Sequence, residues 1–157
     1  MSKSLMVGVI SDTHGLLRPE ALEQLRGVDA IVHAGDVGDP QILAQLRQVA
    51  PVTAIRGNID TSAWGKLLPK TDILEIGGLS LYVLHNLQEL DLDPSAAGFA
   101  AVIFGHSHQP LIEWRNDTLF FNPGSAGPKR FTLPISVGRL TIVNRGLKAE
   151  WIDLTKK

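Results

Sequence analysis

The chain contains no cysteine. That excludes disulfides and every thiolate metal site, so any metal must be held by oxygen and imidazole nitrogen. Aromatic residues are scarce at 6%, and Trp64, Trp114 and Trp151 are too scattered to form a stacking platform for nucleic-acid bases. Neither sign of charge dominates, with 15 Lys and Arg against 16 Asp and Glu and a net charge of −1. No global basic field advertises a nucleic-acid partner, and no block of like charges marks a tail. No apolar run is long enough to span a bilayer. The residues before Leu5 lack a signal-peptide layout, which makes the cytoplasm the expected location. What is left is an ordinary folding composition, 157 residues that are 44% apolar and 20% charged. No repeat, low-complexity stretch or linker interrupts it, so one domain over residues 1–157 is expected.

The most informative stretch is Leu5 to His14, L-M-V-G-V-I-S-D-T-H. A short, uncharged, apolar run of this kind predicts a strand buried on both faces. Ala30–Ala34, Val52–Ile55 and Ala101–Phe104 repeat the pattern. Pro19 predicts the first position of a short helix carrying Ala21, Leu22 and Leu25. Pro40 opens a second helix, with Asp39 as its N-cap and Ile42, Leu43, Leu46 and Val49 on one side. Strand, helix, strand, helix, strand argues for a parallel sheet. Gly77-Gly78 between Ile73–Ile76 and Leu79–Leu84 is a hairpin signal. A short helix is expected within Thr61–Lys70, and a loop with one helical turn within Leu90–Gly98. Beyond Leu111 the tight turns predict antiparallel strands at Leu111–Trp114, Thr118–Phe121, Ile135–Val143 and Leu147–Leu154. The economical architecture is α/β, two mixed sheets packed face to face with helices outside.

Each buried run delivers polar residues at its end. Collected, they are Asp12, His14, Asp36, Asn58, His85, His106 and His108, all oxygen or imidazole donors. Taken singly they have ordinary explanations: Asp12 and Asn58 as turn formers, Asp36 as loop chemistry before Pro40, His85 as a strand-end histidine. As a set they do not, because a fold needs no such polar groups beside its buried strands. In open α/β sheets ligands bind beyond the carboxyl ends of the strands. Seven donors are too many for one tetrahedral ion and suit two ions, an arrangement that serves in-line displacement at phosphorus. The mixed donor set favours Mn²⁺, with Zn²⁺, Ni²⁺, Fe or Co²⁺ as alternatives to an all-oxygen Mg²⁺ site. Gly35, Gly57 and Gly105 stand directly before three of the donors, where a missing Cβ permits close approach.

D-T-H at 12–14, G-D at 35–36, G-N-x-D at 57–60, the strand-end His85, G-H-S-H at 105–108 and N-P-G-S at 122–125 together resemble the calcineurin-like metallophosphoesterases. The likeness is to their small single-domain bacterial and archaeal phosphodiesterase branch, and it spans nearly the whole chain. It implies a four-layer α-β-β-α sandwich and a dinuclear metal site. Asp12, His14 and His108 would hold one metal, and Asn58, His85 and His106 the other, with Asp36 bridging. It implies hydrolysis of P–O bonds of a small phosphate ester by in-line attack of a bridging hydroxide, with Asp36, Asn58 and His106 in catalytic roles. Two positions depart from the pattern. Ile59 replaces a histidine that in many members steadies phosphate or protonates the leaving group, and Asn86 stands where the branch often has glycine. The first predicts a modest enzyme that prefers good leaving groups.

Two other functions share these residues: a protein-binding scaffold of the same fold, like a eukaryotic trafficking subunit of the family, and a phosphomonoesterase acting on a small metabolite. A homo-oligomer is left open. His33 reads as a histidine packed in the core or supporting the site rather than a ligand, Asn122 and Ser125 as braces or a simple turn, and Arg56 and Arg130 as solvated in preference to meeting substrate phosphate. Gly124–Arg130 lacks the spacing and following helix of a phosphate-binding loop.

Overall fold

The computed structural model describes residues 4–130 and 132–155. Among these residues there are ten strands and two α-helices. The first half runs β1 (Leu5–Ile10), α1 (Pro19–Gln24), β2 (Ala30–His33), α2 (Pro40–Arg47) and β3 (Val52–Ala54). Then follow β4 (Thr71–Ile76), β5 (Leu79–Leu84), β6 (Ala101–Ile103), β7 (Leu111–Arg115), β8 (Thr118–Asn122), β9 (Ser136–Val143) and β10 (Gly146–Asp153). One sheet has the order β10-β9-β1-β2-β3 and the other β4-β5-β6-β8-β7. β1, β2 and β3 are mutually parallel, with β9 and β10 added antiparallel. β5, β6 and β8 are likewise parallel, flanked by antiparallel β4 and β7. This is the mixed two-sheet α/β sandwich that the sequence predicts.

Side-chain alternation decides which face each strand buries. Val7, Val9, Val32, Leu140 and Ile142 of one sheet pack against Leu81, Val83, Ala101, Ile103, Leu119 and Phe121 of the other. The opposite face of the first sheet presents Ile10, Ile31, Ala54 and Val137 to the helices, which return Ala21, Ile42, Leu43 and Leu46. Asp39 caps α2 as expected, its side chain accepting from the Gln41 N–H at 2.9 Å. The outer face of the second sheet is covered more thinly. Tyr82, Leu84, Val102, Phe104 and Phe120 lie beneath Leu87, Leu90, Leu92 and Phe99. That fourth layer is a looping segment with a 3-10 turn at Leu87–Glu89, and another 3-10 turn, Gly65–Leu67, is the helical part of Thr61–Lys70. Polar and proline residues at short intervals stop either segment from continuing as an α-helix.

All three parallel strands of the first sheet, and the parallel strands of the second, end at one rim. Tight antiparallel turns lie elsewhere: Gly77 and Gly78 both have positive φ, as a two-residue hairpin of this type demands.

Phe121 is fully buried between the sheets, and Gly138 on β9 leaves the room its ring occupies. Phe121→Ala should cost about 3–5 kcal/mol, read as a lower urea midpoint at unchanged slope.

Candidate metal centre

The seven donors predicted from sequence follow the carboxyl ends of β1, β2, β3, β5 and β6. Short backbone bonds hold the loops beyond those ends in register. The N–H groups of Asp12, His14 and Gly15 donate to the carbonyls of Gly35, Asp36 and Val37 at 3.0, 2.9 and 2.8 Å. Gly105 N–H donates to the His85 carbonyl at 3.0 Å. Other bonds cross between the sheets. His106 N–H donates to Asp12 Oδ2 at 3.1 Å, and His85 Nδ1 lies 2.8 Å from the Ala34 carbonyl.

The local backbone is unusual. Asp12, His14, Asp36, His106 and His108 all have φ between 48° and 74°, the left-handed region that non-glycine residues rarely enter. Five of seven candidate donors therefore sit in a conformation that their own chemistry disfavours, which is a recurrent property of functional sites. Two glycines explain how the loops close up. A Cβ on Gly57 would overlap Asp36 N and Oδ1, and one on Gly105 would overlap Ser11 Oγ and Asp12 Oδ2.

The two carboxylates divide their oxygens in the same way. Asp12 Oδ2 accepts from Ser11 Oγ at 2.6 Å and from His106 N–H, while Oδ1 is buried with no hydrogen-bond partner. Asp36 Oδ1 accepts from Ile59 N–H at 3.0 Å. The remaining oxygens face imidazole nitrogens. Asp12 Oδ1 lies 3.4 Å from His108 Nε2, 3.7 Å from His14 Nε2 and 3.8 Å from His85 Nε2. Asp36 Oδ2 lies 3.4 Å from His14 Nε2 and 3.2 Å from His85 Nε2.

Two groups emerge whose ligand atoms all lie within 4.8 Å of one another, Asp12–His14–His108 and Asp12–Asp36–His85. Asn58 joins the second, its side-chain oxygen 3.0 Å from His85 Nε2 and 3.1 and 3.2 Å from the Asp36 oxygens. Turned to present its nitrogen, the same amide donates to all three, so either orientation keeps Asn58 against His85 and Asp36. His106 stands differently: it is exposed, its ring packs edge-on against His85 with centroids 5.2 Å apart, and its backbone is what touches Asp12.

These groups fit divalent ions. Buried lone pairs aimed at one another without a donor are costly unless a cation intervenes. Asp12 Oδ1 and His14 Nε2 are such orphans. A neutral His85 that donates Nδ1–H to Ala34 turns the Nε2 lone pair toward Asp36, the tautomer that metal-binding histidines adopt. Protonation reports the same field. Burial would raise the Asp12 carboxyl, but His108, His14, His85 and the Ser11 hydroxyl outweigh it and hold the group well below the usual carboxylate range. Burial pulls His85 down, and the Asp36 and Asp12 carboxylates with the Ala34 carbonyl outweigh that and raise it. The oxygens favour positive charge at this point.

Supports surround the donors. Asn122 Nδ2 donates to the Gly105 carbonyl at 3.1 Å and its Oδ1 accepts from Gly124 N–H at 2.8 Å. Ser125 Oγ donates to the Asp12 carbonyl at 3.1 Å. Both are braces. Buried Asp60 gathers backbone N–H groups from two loops, a role invisible in sequence because its partners on β2's loop lie more than 20 positions away. Arg56 is half-buried rather than freely solvated: its guanidinium is tied to the Lys66 and Leu68 carbonyls at 2.9–3.1 Å, fixing the loop that follows Asp60. Beside the donors opens a cleft of about 710 Å³, with Asn58, His85 and His106 among its lining. Segment 56–71 contributes Arg56, Lys66 and Lys70 to it, and segment 82–91 contributes Tyr82, Glu89 and Asp91.

His33 is fully buried within β2 and makes no contact with the carboxylate oxygens. Its Nδ1 accepts from Gly35 N–H at 3.2 Å, so Nε2–H donates to Thr13 Oγ1 at 3.0 Å, which donates onward to the Val37 carbonyl at 2.8 Å. Burial pushes its pKa down to about 4. The unfolded chain takes up this proton near pH 6.5 and the folded one only near pH 4, so the stability from neutral His33 is full above about 6.5. It is lost as pH falls through that window, by on the order of 3 kcal/mol. Denaturant titrations of chelator-treated protein from pH 7 to pH 4 should show this decline, and His33→Asn should lack that part of the slope.

Residues 5–145 match the family described as the calcineurin-like phosphoesterase superfamily domain. A probable metallophosphoesterase of Methanothermobacter thermautotrophicus is 37% identical over 160 residues, covering 94% of this chain and 92% of its own. The phosphodiesterase YfcE of Escherichia coli K12 is 28% identical, over 83% of this chain and 84% of its own. Among solved structures, that of Vps29 from Entamoeba histolytica complexed with zinc superposes with a TM-score of 0.70 at 20% identity, covering 96% of this chain and all of that one. This last likeness is one of fold.

Proposed function

Because this chain belongs to the calcineurin-like phosphoesterase superfamily, we propose that it is a metal-dependent phosphodiesterase that hydrolyses small phosphate esters at a dinuclear site. One observation carries the reading: Asp36 Oδ2 lies between His14 and His85, within 3.4 Å of a nitrogen from each half of the donor cluster. A carboxylate oxygen there could serve both ions, which supports the bridging role that the family likeness implies for Asp36. Asp12, His14 and His108 would hold one ion, and Asp36, Asn58 and His85 the other, with His106 closing the second site from the cleft. The mixed oxygen and imidazole set favours manganese over magnesium. Two such ions supply a nucleophile near neutral pH and neutralise charge on the phosphoryl oxygens when bound.

The chain's own contributions follow from its geometry. Ser11 and the His106 and Ile59 N–H groups fix the carboxylates from behind, so that no reorganisation is needed when charge develops at phosphorus. The cleft takes the ester arms, and its lysines offer charge to the phosphate end of the substrate. Ile59, 40% exposed beside Asp36, brings no proton to the leaving group. Esters whose leaving groups depart unaided are therefore the better substrates. The scaffold reading is the weaker one, since every donor position is filled and the donors converge.

Asp36→Asn should keep the fold, lose at least one ion and lose nearly all turnover, read by elemental analysis and a chromogenic diester assay. Full activity with two ions bound would overturn the dinuclear reading. Ile59→His should raise turnover of alkyl diesters by at least tenfold and up to the 10²–10⁴-fold typical of general acids, while leaving nitrophenyl diesters little changed.

A further inference from the structure

We propose that Asp60 is a positioning residue for one half of the cluster, the half that holds Asp36, Asn58 and His85, and that the other half stands without it. This rests on the dinuclear reading above. Asp60 is 1% exposed and touches none of the facing donor atoms. Its carboxylate instead collects three backbone N–H groups. Val37 and Gly38, in the loop after β2, donate at 3.2 and 3.1 Å, and Gly57, in the loop after β3, donates at 2.9 Å. Oδ2 takes Val37 and Gly57 together, so a single oxygen pins the loop that carries Asp36 to the loop that carries Asn58. Ile59 N–H returns one bond to Asp36 Oδ1.

The two halves differ in what else restrains them. The loop after β2 is also held to the loop after β1 by three backbone bonds, at Asp12, His14 and Gly15. The loop carrying His106 and His108 is held by Asn122. Asp12 is held by Ser11, His106 N–H and Ser125. None of those ties involves Asp60. The loop after β3 is tied at Arg56 to the Lys66, Leu68 and Pro69 carbonyls. Beyond Arg56 its hydrogen bonds to the loop after β2 are the Asp60 bridge and the single Ile59 bond. Releasing the bridge lets Asn58 leave Asp36 and His85 while Asp12, His14 and His108 keep their places.

The carboxylate form matters. Three donors face two oxygens that can only accept. An asparagine keeps one oxygen for Val37 and Gly57 but turns an NH₂ against Gly38 N–H. Asp60→Asn is therefore a mild lesion and Asp60→Ala a complete one.

The test is calorimetric titration of metal-free protein with Mn²⁺ alone, with bound metal counted by elemental analysis. Wild type should take up two ions. Asp60→Asn should keep the first within about twofold and bind the second about 10–100-fold more weakly, and Asp60→Ala should hold one. In metal-free protein the Gly38 amide should exchange faster with deuterium in Asp60→Asn, and the Val37, Gly38 and Gly57 amides all faster in Asp60→Ala, with Asp12 and Gly105 unchanged. Two ions bound at wild-type affinity, equal weakening of both, or unchanged exchange at Gly57 in Asp60→Ala would each overturn the assignment. A wild-type protein that takes up a single ion sinks the dinuclear reading and this proposal with it; the exchange data then still tell whether the bridge itself exists.

Discussion

Two carboxylate oxygens and three imidazole nitrogens crowd into a space a few ångströms across, and everything near the rim of the sandwich is arranged to keep them there. Asp12 Oδ1 and Asp36 Oδ2 are the inward oxygens; each has its sister oxygen occupied by a backbone N–H. Like-charged groups at such separation repel unless positive charge is interposed. Here burial would raise the Asp12 carboxyl, but His108, His14, His85 and the Ser11 hydroxyl hold it acidic, while burial lowers His85 and the carboxylates outweigh that and raise it.

The backbone bears part of the cost. Left-handed φ at a non-glycine residue costs on the order of 1–3 kcal/mol, and Asp12, His14, Asp36, His106 and His108 all adopt it. Against a net stability of about 5–15 kcal/mol for a domain, five such residues need compensation. It comes from the sheets. The strands that deliver the donors are buried on both faces, as Val7, Val9, Ile31, Val32, Val102 and Ile103 are, so the rim cannot relax without disturbing the core. Rigid strands and strained loops are thus two sides of one arrangement: the core supplies the energy and the loops spend it on geometry.

Much of this is legible in the sequence for a simple reason. A charged or polar residue directly after an uncharged apolar run has no role in the core, so Asp12, Asp36, Asn58, His85 and His108 stand out by position. Gly57 and Gly105 stand out too, because close approach needs a residue without Cβ. The two sheets and the Asp39 cap follow from alternation and from local hydrogen bonding. What is not legible is whatever depends on partners distant in the chain. Asp60 looks like a loop acid until Val37 and Gly38 are seen to reach it. Arg56 looks solvated until the Lys66 and Leu68 carbonyls close on it. His33 is legible as a packed or supporting histidine, but not its partners, since its ring joins Gly35 to Thr13 across 20 positions. The thin fourth layer also escapes sequence reasoning, because Leu87, Leu90 and Phe99 cover the sheet without any helical period.

The supports of the rim share one property: each ties a donor-bearing loop to an element other than the strand that delivers it. His33 joins the loops after β1 and β2, Asp60 joins those after β2 and β3, and Asn122 braces the loop after β6 from β8. A strand end alone fixes a side chain along one direction. Holding a ligand atom to within a few tenths of an ångström needs a second, transverse restraint. The rim of the sandwich supplies it with buried acceptors and imidazole rather than with more hydrophobic packing, because only hydrogen bonds fix orientation as well as distance. Substitutions among these supports therefore act on the spacing of the donors before they act on the fold, and the order in which the two are lost separates a positioning role from a merely structural one.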